Sequence, residues 1–238
     1  MHGVCSSQFR MNTIEFPVIT HLKRFAMRHL ILAALIVFPL QLRSSMARER
    51  GPLRGGLNIV FGLDPGHGNY DGVVGNRADH WNFVDVGVTR LLALRDSRGN
   101  RTSVDFFLSE NDGEWGITGH RGIYHAYLYH NQRDVDLQVT LEGLPRGKYE
   151  VYVYAHGDAP NQNAEVELIV GKQIVGRKAT LNDGSWDFRL ARLSEGNQYV
   201  RFRFTVRGDK PLQITSRRSG SSYSMFNAIQ IMPIQRAR

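Results

Sequence analysis

The run Asn111-Asp112-Gly113-Glu114-Trp115 sets an indole beside carboxylates, and the segment from Asp158 to Asn163 (DAPNQN) adds another carboxylate and side-chain amides. An indole presents a flat apolar face, while short carboxylates and amides meet hydroxyl groups. Together these types suit a sugar ring, which has an apolar C–H face and a rim of hydroxyls. Trp115, Asp112, Asp158, Asn161 and Asn163 are therefore the candidate ligand-binding residues. Each also has a plainer use: Trp115 can cap one end of a core, and asparagines are ordinary turn residues.

Leu63-Asp64-Pro65-Gly66-His67-Gly68 is the other constellation that could do chemistry, and it resembles the metal-binding opening of zinc-dependent cell-wall amidases. Metal-assisted hydrolysis needs several convergent ligands and an open position for water. The family's histidine is joined by a glutamate soon afterwards, yet no Glu occurs between Arg50 and Ser109, so no zinc is expected. The glycines also fail as a phosphate loop, because Gly66-x-Gly68 opens onto more loop instead of a helix N-terminus. His80, His120, His125, His130 and His156 lack the helical or strand pairings that aim two imidazoles at one metal, which leaves them as hydrogen-bonded histidines. Asp64, Asp71 and Asp79 offer oxygen ligands suited to a structural calcium, the one ion the composition leaves open.

Acid pairs for glycoside hydrolysis can be drawn from Asp71, Asp79, Glu110, Asp112, Glu114 and Asp158, with nothing to single out two. There is no Gly-x-Ser-x-Gly elbow, and the only cysteine, Cys5, lies in a segment expected to be removed. No catalytic residue is assigned.

The elements that would position these residues read as strands. Val135, Leu137, Val139 and Leu141 alternate with polar residues, and Tyr149, Val151, Val153 and Ala155 resume the alternation after Leu144-Pro145-Arg146-Gly147. The spacing predicts two half-buried strands joined as a β-hairpin. Tyr199 to Val206 repeats the pattern, with Val200, Phe202, Phe204 and Val206 on one face. Further strands are expected at Leu57 to Phe61, Val86 to Leu94, Thr102 to Leu108, Ala164 to Val170, Ile174 to Thr180, Trp186 to Leu190, Leu212 to Thr215 and Phe226 to Ile234. Asp96 to Asn100 closes a hairpin, Gly62 to Asn82 and Glu110 to Gly122 have loop composition, and Tyr124 to His130 suits a strand or a turn of helix. Trp81 and Trp186 abut apolar strands and are expected in the core. No window shows a capped helical period, so the fold expected is all-β: an antiparallel two-sheet sandwich of about ten strands.

Ahead of it, Arg28 and His29 precede the apolar run Leu30 to Leu40, which is too short to span a bilayer, and Ser45-Met46-Ala47 supplies small residues for cleavage. Residues 1–47 read as an N-terminal extension and signal peptide, 48–56 as a flexible lead-in and 57–238 as one domain. Met27 stands directly before the basic segment and is an alternative start. The whole chain carries a net charge of +8; without residues 1–47 it has 25 basic and 21 acidic side chains, net +4. The remaining arginines are scattered, so a nucleic-acid partner is not expected, and no membrane contact is expected after cleavage.

The segments Asn58-Ile59-Val60-Phe61-Gly62, Asp79-His80-Trp81-Asn82, Tyr127-Leu128-Tyr129, Leu144-Pro145-x-Gly147-x-Tyr149-x-Val151-Tyr152-x-Tyr154, Gly196-Asn197-x-Tyr199-Val200 and Asn227-Ala228-Ile229-Gln230-Ile231 carry a resemblance. Over about residues 57–234 the chain resembles the galactose-binding-like jelly-roll sandwiches used as carbohydrate-binding modules in secreted bacterial proteins. The resemblance implies a secreted, periplasmic or extracellular non-catalytic module whose partner is a polysaccharide or other glycan. Two alternatives stay open: an extracellular structural or protein-interaction module without glycan affinity, and the zinc amidase. A glycan module requires an exposed Trp or Tyr in a groove between loops, whereas an interaction module would bury its aromatics and expose an apolar patch.

Overall fold

The computed structural model describes residues 52–63, 70–120, 122–181, 193–218 and 220–235. In chain order the first strands are β1 (Leu57–Phe61), β2 (Asn82–Val84), β3 (Arg90–Leu91), β4 (Asp105–Leu108), β5 (Gly113–Gly116), β6 (Ala126–His130) and β7 (Leu137–Glu142). The remainder are β8 (Gly147–Tyr154), β9 (Glu165–Val170), β10 (Gln173–Ala179), β11 (Tyr199–Val206), β12 (Leu212–Arg217), β13 (Ser224–Phe226) and β14 (Ala228–Pro233). The only helical piece among the described residues is a 3-10 turn, Gly122–Tyr124. None of the described residues forms a helix long and apolar enough to cross a membrane.

A five-stranded sheet, ordered β11-β8-β14-β1-β2, faces a six-stranded sheet, ordered β10-β9-β12-β7-β4-β3. The two-residue period explains the core between them. Leu57, Ile59, Phe61, Val151, Val153, Phe202, Phe204, Ile229 and Ile231 point inward from the first sheet. Phe106, Leu108, Leu137, Val139, Leu141, Val166, Leu168, Leu212 and Ile214 meet them from the second. Each such side chain contributes roughly 1.5 to 3 kcal/mol by leaving water, and alternation delivers them all to one face.

The expected all-β sandwich is the observed one, with differences in detail. There are fourteen strands among the described residues instead of about ten, because a third sheet, β13-β6-β5, stands apart from the main two. Among the described strands the ladders are antiparallel except at β1 and β2, which run parallel with Ile59 opposite Asn82. The strand expected over Val86 to Leu94 is reduced to β3, and Val86 and Leu92 are exposed. The expected hairpin at Asp96 to Asn100 is present: Asp96 Oδ1 accepts from the backbone N–H groups of Arg98 and Asn100.

The hairpin expected at Leu144-Pro145-Arg146-Gly147 is not one. β7 pairs with β4 and β12, whereas β8 pairs with β11 and β14, so the four-residue connection crosses from one sheet to the other. Leu144 is buried at this corner, and the Tyr149 hydroxyl donates to the Pro145 carbonyl at 2.7 Å. Inward alternation is the same for two strands paired in one sheet and two facing each other across a core. An apolar residue inside the connection was the signal that separates them.

The outer face of the five-stranded sheet is also covered. A second core, rich in tyrosine, gathers Val60, Tyr70, Trp81, Tyr124, Tyr127, Tyr152, Tyr154 and Met225. Trp81 is buried there as expected; Trp186, like Asp64 to Gly68 and residues 1–47, lies outside the described residues. Gln230 pins this layer: its Nε2 donates to Asn58 Oδ1 at 3.0 Å and to the Val74 carbonyl at 2.9 Å, and its Oε1 accepts from the Tyr154 hydroxyl at 2.6 Å. A Cβ on Gly72 would run into that amide, so a larger residue there would have to displace the Gln230 side chain from its hydrogen bonds.

Candidate functional site

Trp115 sits on β5, not in a loop as its surroundings suggested, directly opposite Tyr127 on β6. Tyr127 and Tyr129 share a face because they are two residues apart on one strand. Gly113 lies opposite Tyr129, and a Cβ there would meet the Tyr129 hydroxyl at 2.9 Å, so the absence of a side chain lets that phenol lie across β5. β13 pairs with the far side of β6, Met225 opposite Tyr129, and two residues earlier Tyr223 packs on Tyr129 with ring centres 5.2 Å apart. Tyr127 and Tyr129 meet edge to face at 6.0 Å.

Trp115, Tyr127, Tyr129 and Tyr223 line one open cleft of about 370 Å³. Asn131, Asp158, Ala159 and Gln162 supply the rest of its wall. Trp115 is 53% exposed, unlike the buried Trp81, and its Nε1 donates to Asp158 Oδ2 at 3.4 Å, a long bond that joins hairpin and loop. Burial and the Asp158 carboxylate, with Tyr223 and Tyr129 adding to them, push the Tyr127 phenol well above its ordinary value, so it remains neutral and keeps its proton.

The 157–163 loop is built by its own hydrogen bonds. Gly157 N–H donates to the Gln162 carbonyl at 2.7 Å, Ala159 N–H donates to Gln162 Oε1 at 3.1 Å, and His156 bridges to Asn163. The Asn161 carbonyl accepts from Ser222 N–H at 2.7 Å and from Ser221 Oγ at 3.1 Å, tying the loop to the segment that carries Tyr223. Asn227, fully buried, links the two walls: its Nδ2 donates to the Ala126 carbonyl at the start of β6, and its Oδ1 accepts from His156 N–H ahead of the loop.

Of the five candidate residues, the fold brings Trp115 and Asp158 together in the cleft. Asp112 does not line it; its carboxylate accepts from Asn131 N–H at 2.6 Å and lies 3.3 Å from His130 Nδ1, so it holds the backbone of a lining residue. Asn161 is exposed in a left-handed conformation, φ 60°, and serves the turn. Asn163 is buried, its Nδ2 donating to the Thr180 carbonyl at 2.9 Å, and is not presented to the cleft. The polar lining comes instead from Asn131 and Gln162, which the sequence reading passed over, as it did Tyr127, Tyr129 and Tyr223. The alternation Tyr127-Leu128-Tyr129 carried a signal for two of these; Tyr223 carried none, since its place depends on β13 pairing with β6.

No group of three or more His, Cys, Asp or Glu among the described residues is placed to hold a metal ion. Of the carboxylates suited to calcium, Asp71 accepts from Arg77 Nε at 2.8 Å and Asp79 from Asn76 N–H at 3.1 Å, while Asp64 lies outside the described residues. His125 contacts the carbonyls of Gly122 and Leu63 through its two ring nitrogens, and burial with nearby Arg95 lowers the pKa of His80.

No protein-family model matches the chain, and no curated protein matches it. Among solved structures, protein YXIM_BACsu from Bacillus subtilis is similar at 13% identity and a TM-score of 0.40, over 76% of this chain and 40% of that one. A family 35 carbohydrate binding module from Clostridium thermocellum is similar at 12% identity and a TM-score of 0.30, over 54% of this chain and 88% of that one. The CBM36-1 domain of a multidomain xylanase from the hindgut metagenome of Trinervitermes trinervoides gives 11% identity and a TM-score of 0.32, over 55% and 99%. The chain thus spans less than half the length of the first of these, and at such TM-scores none of the three fixes the ligand of this chain.

Proposed function

We propose that the protein is an exported, non-catalytic glycan-binding module whose ligand lies in the cleft between the β5–β6 hairpin and the 157–163 loop. One observation carries the reading: an exposed indole and three tyrosines share an open cleft with Asn131, Asp158 and Gln162. Ring faces take the C–H side of a sugar, and amide and carboxylate groups take its hydroxyls. A cleft of about 370 Å³ falls within the usual range for small-ligand sites. Asp158 is the one carboxylate in the lining among the described residues, whereas acid-pair glycoside hydrolysis needs two flanking the scissile bond. Export is supported by the apolar run Leu30 to Leu40 with Ser45-x-Ala47 behind it.

Shallow stacking of this kind gives micromolar to millimolar affinity, about 4 to 8 kcal/mol. Glycan-array binding with the purified chain tests the proposal. Retention of a coherent set of glycans, lost on replacing Asp158 and Gln162 together by alanine, is the expected result. An array blank at millimolar-sensitive conditions would favour the interaction module.

A further inference from the structure

We propose that the preferred ligand of the cleft is a cationic glycan, one bearing a free ammonium group such as a 2-amino sugar residue; this rests on the glycan-binding reading. The charge of the lining is one-sided. Among the described residues Asp158 is its only charged side chain, and no Lys, Arg or His contributes to the wall. Among the described residues no cation lies within ion-pair distance of Asp158; the hydrogen bond it accepts from Trp115 Nε1 comes from a neutral donor. Asp112, outside the lining, is taken up by Asn131 N–H and His130, which leaves Asp158 as the carboxylate open to the cleft. Arg218, at the same strand end, donates Nη2 to the His130 carbonyl.

The four rings act in the same direction. An aromatic face is electron-rich and attracts a cation held within about 6 Å of its centre, more strongly when water is excluded. Trp115, Tyr127, Tyr129 and Tyr223 line the same cleft as the carboxylate, with the Nε1 edge of Trp115 turned to Asp158. Burial and Asp158 keep the Tyr127 phenol protonated, so it stays a neutral ring wall. The groove between β10 and β11 differs: it collects Arg177, Lys178, Arg201 and Arg203, each ion-paired with Glu150, Glu167 or Glu195. A ligand carboxylate or sulfate in the cleft would instead face Asp158 with no cation to offset it among the described lining residues, which the same geometry disfavours.

Calorimetric titration of the full chain at neutral pH with a matched tetrasaccharide series tests this: glucosamine, N-acetylglucosamine, glucose and glucuronate oligomers, with choline as a non-sugar cation. The glucosamine oligomer should bind about ten-fold tighter than its glucose counterpart, the order that a partly exposed ion pair and cation–ring contacts provide together, and the margin should shrink with added salt. Asp158→Asn should narrow that ratio to within about two- or three-fold, with the protein's circular dichroism unchanged. Equal or tighter binding of the glucose, acetylated or glucuronate oligomer overturns the inference while leaving glycan binding intact. Choline binding tighter than the amino oligomer overturns the assignment to a sugar. Binding of nothing in the series overturns both readings.

Discussion

Glu167 shows how far a single side chain departs from what its type suggests. It is almost fully buried on β9, yet Arg177 and Arg217 reach it at 2.6 and 2.8 Å. Burial alone would raise its carboxyl, but hydrogen bonds from the two arginines outweigh burial and hold it below the usual glutamate value. A carboxyl lowered on folding contributes stability above its unfolded value of about 4.3 and loses it as the pH falls. Glu167→Gln should therefore cost about 1 to 2 kcal/mol near pH 7, in the lower range because both arginines are partly exposed, and progressively less as the pH falls through the lowered value of the folded carboxyl. Urea titrations across that range check it, and a gap that does not change with pH would contradict the account. At this scale the sequence showed types but not burial: Trp115 and Asp158 were legible as a ring and a polar group, whereas Asn161 and Asn163 looked alike until one was turned to solvent and the other to Thr180.

Strands were legible because alternation is local, and their partners were not because pairing is decided by residues far along the chain. Tyr199 to Val206 forms over the span its period predicts, while β7 and β8 were assigned to each other and belong to opposite sheets. The third sheet was hidden for a related reason. Tyr152 and Tyr154 sit on what looked like the wet face of β8, and tyrosine serves a surface as readily as a second core. Asn227 holds this arrangement together between β13 and β14. Asn227→Ala would strand the Ala126 carbonyl and the His156 N–H in a buried setting, which should cost about 2 to 4 kcal/mol. Because those two groups begin the two walls of the cleft, the variant should also weaken glycan binding without touching the ligand. A melt unchanged within about 0.5 kcal/mol would show that the link is incidental.

As a whole, the molecule joins a two-sheet sandwich to a small three-stranded sheet that carries most of the aromatic wall, with loop 157–163 opposite. The export signal read from residues 1–47 predicts a mature chain beginning at Arg48, which N-terminal sequencing of the exported protein decides; a soluble cytoplasmic protein retaining those residues would contradict it. The large core makes the ligand site separable from stability. Trp115 is half-exposed and absent from both apolar clusters, so its removal should leave the fold intact. The central claim is tested most directly by titrating a glycan panel against intrinsic fluorescence, with native chain and Trp115→Ala side by side. The account predicts saturable quenching or enhancement by at least one glycan, an affinity at least about ten-fold weaker in the variant, and nearly the same melting temperature for both. A glycan bound equally well by both chains would place the site elsewhere, and no response to any glycan would contradict the glycan-binding function itself.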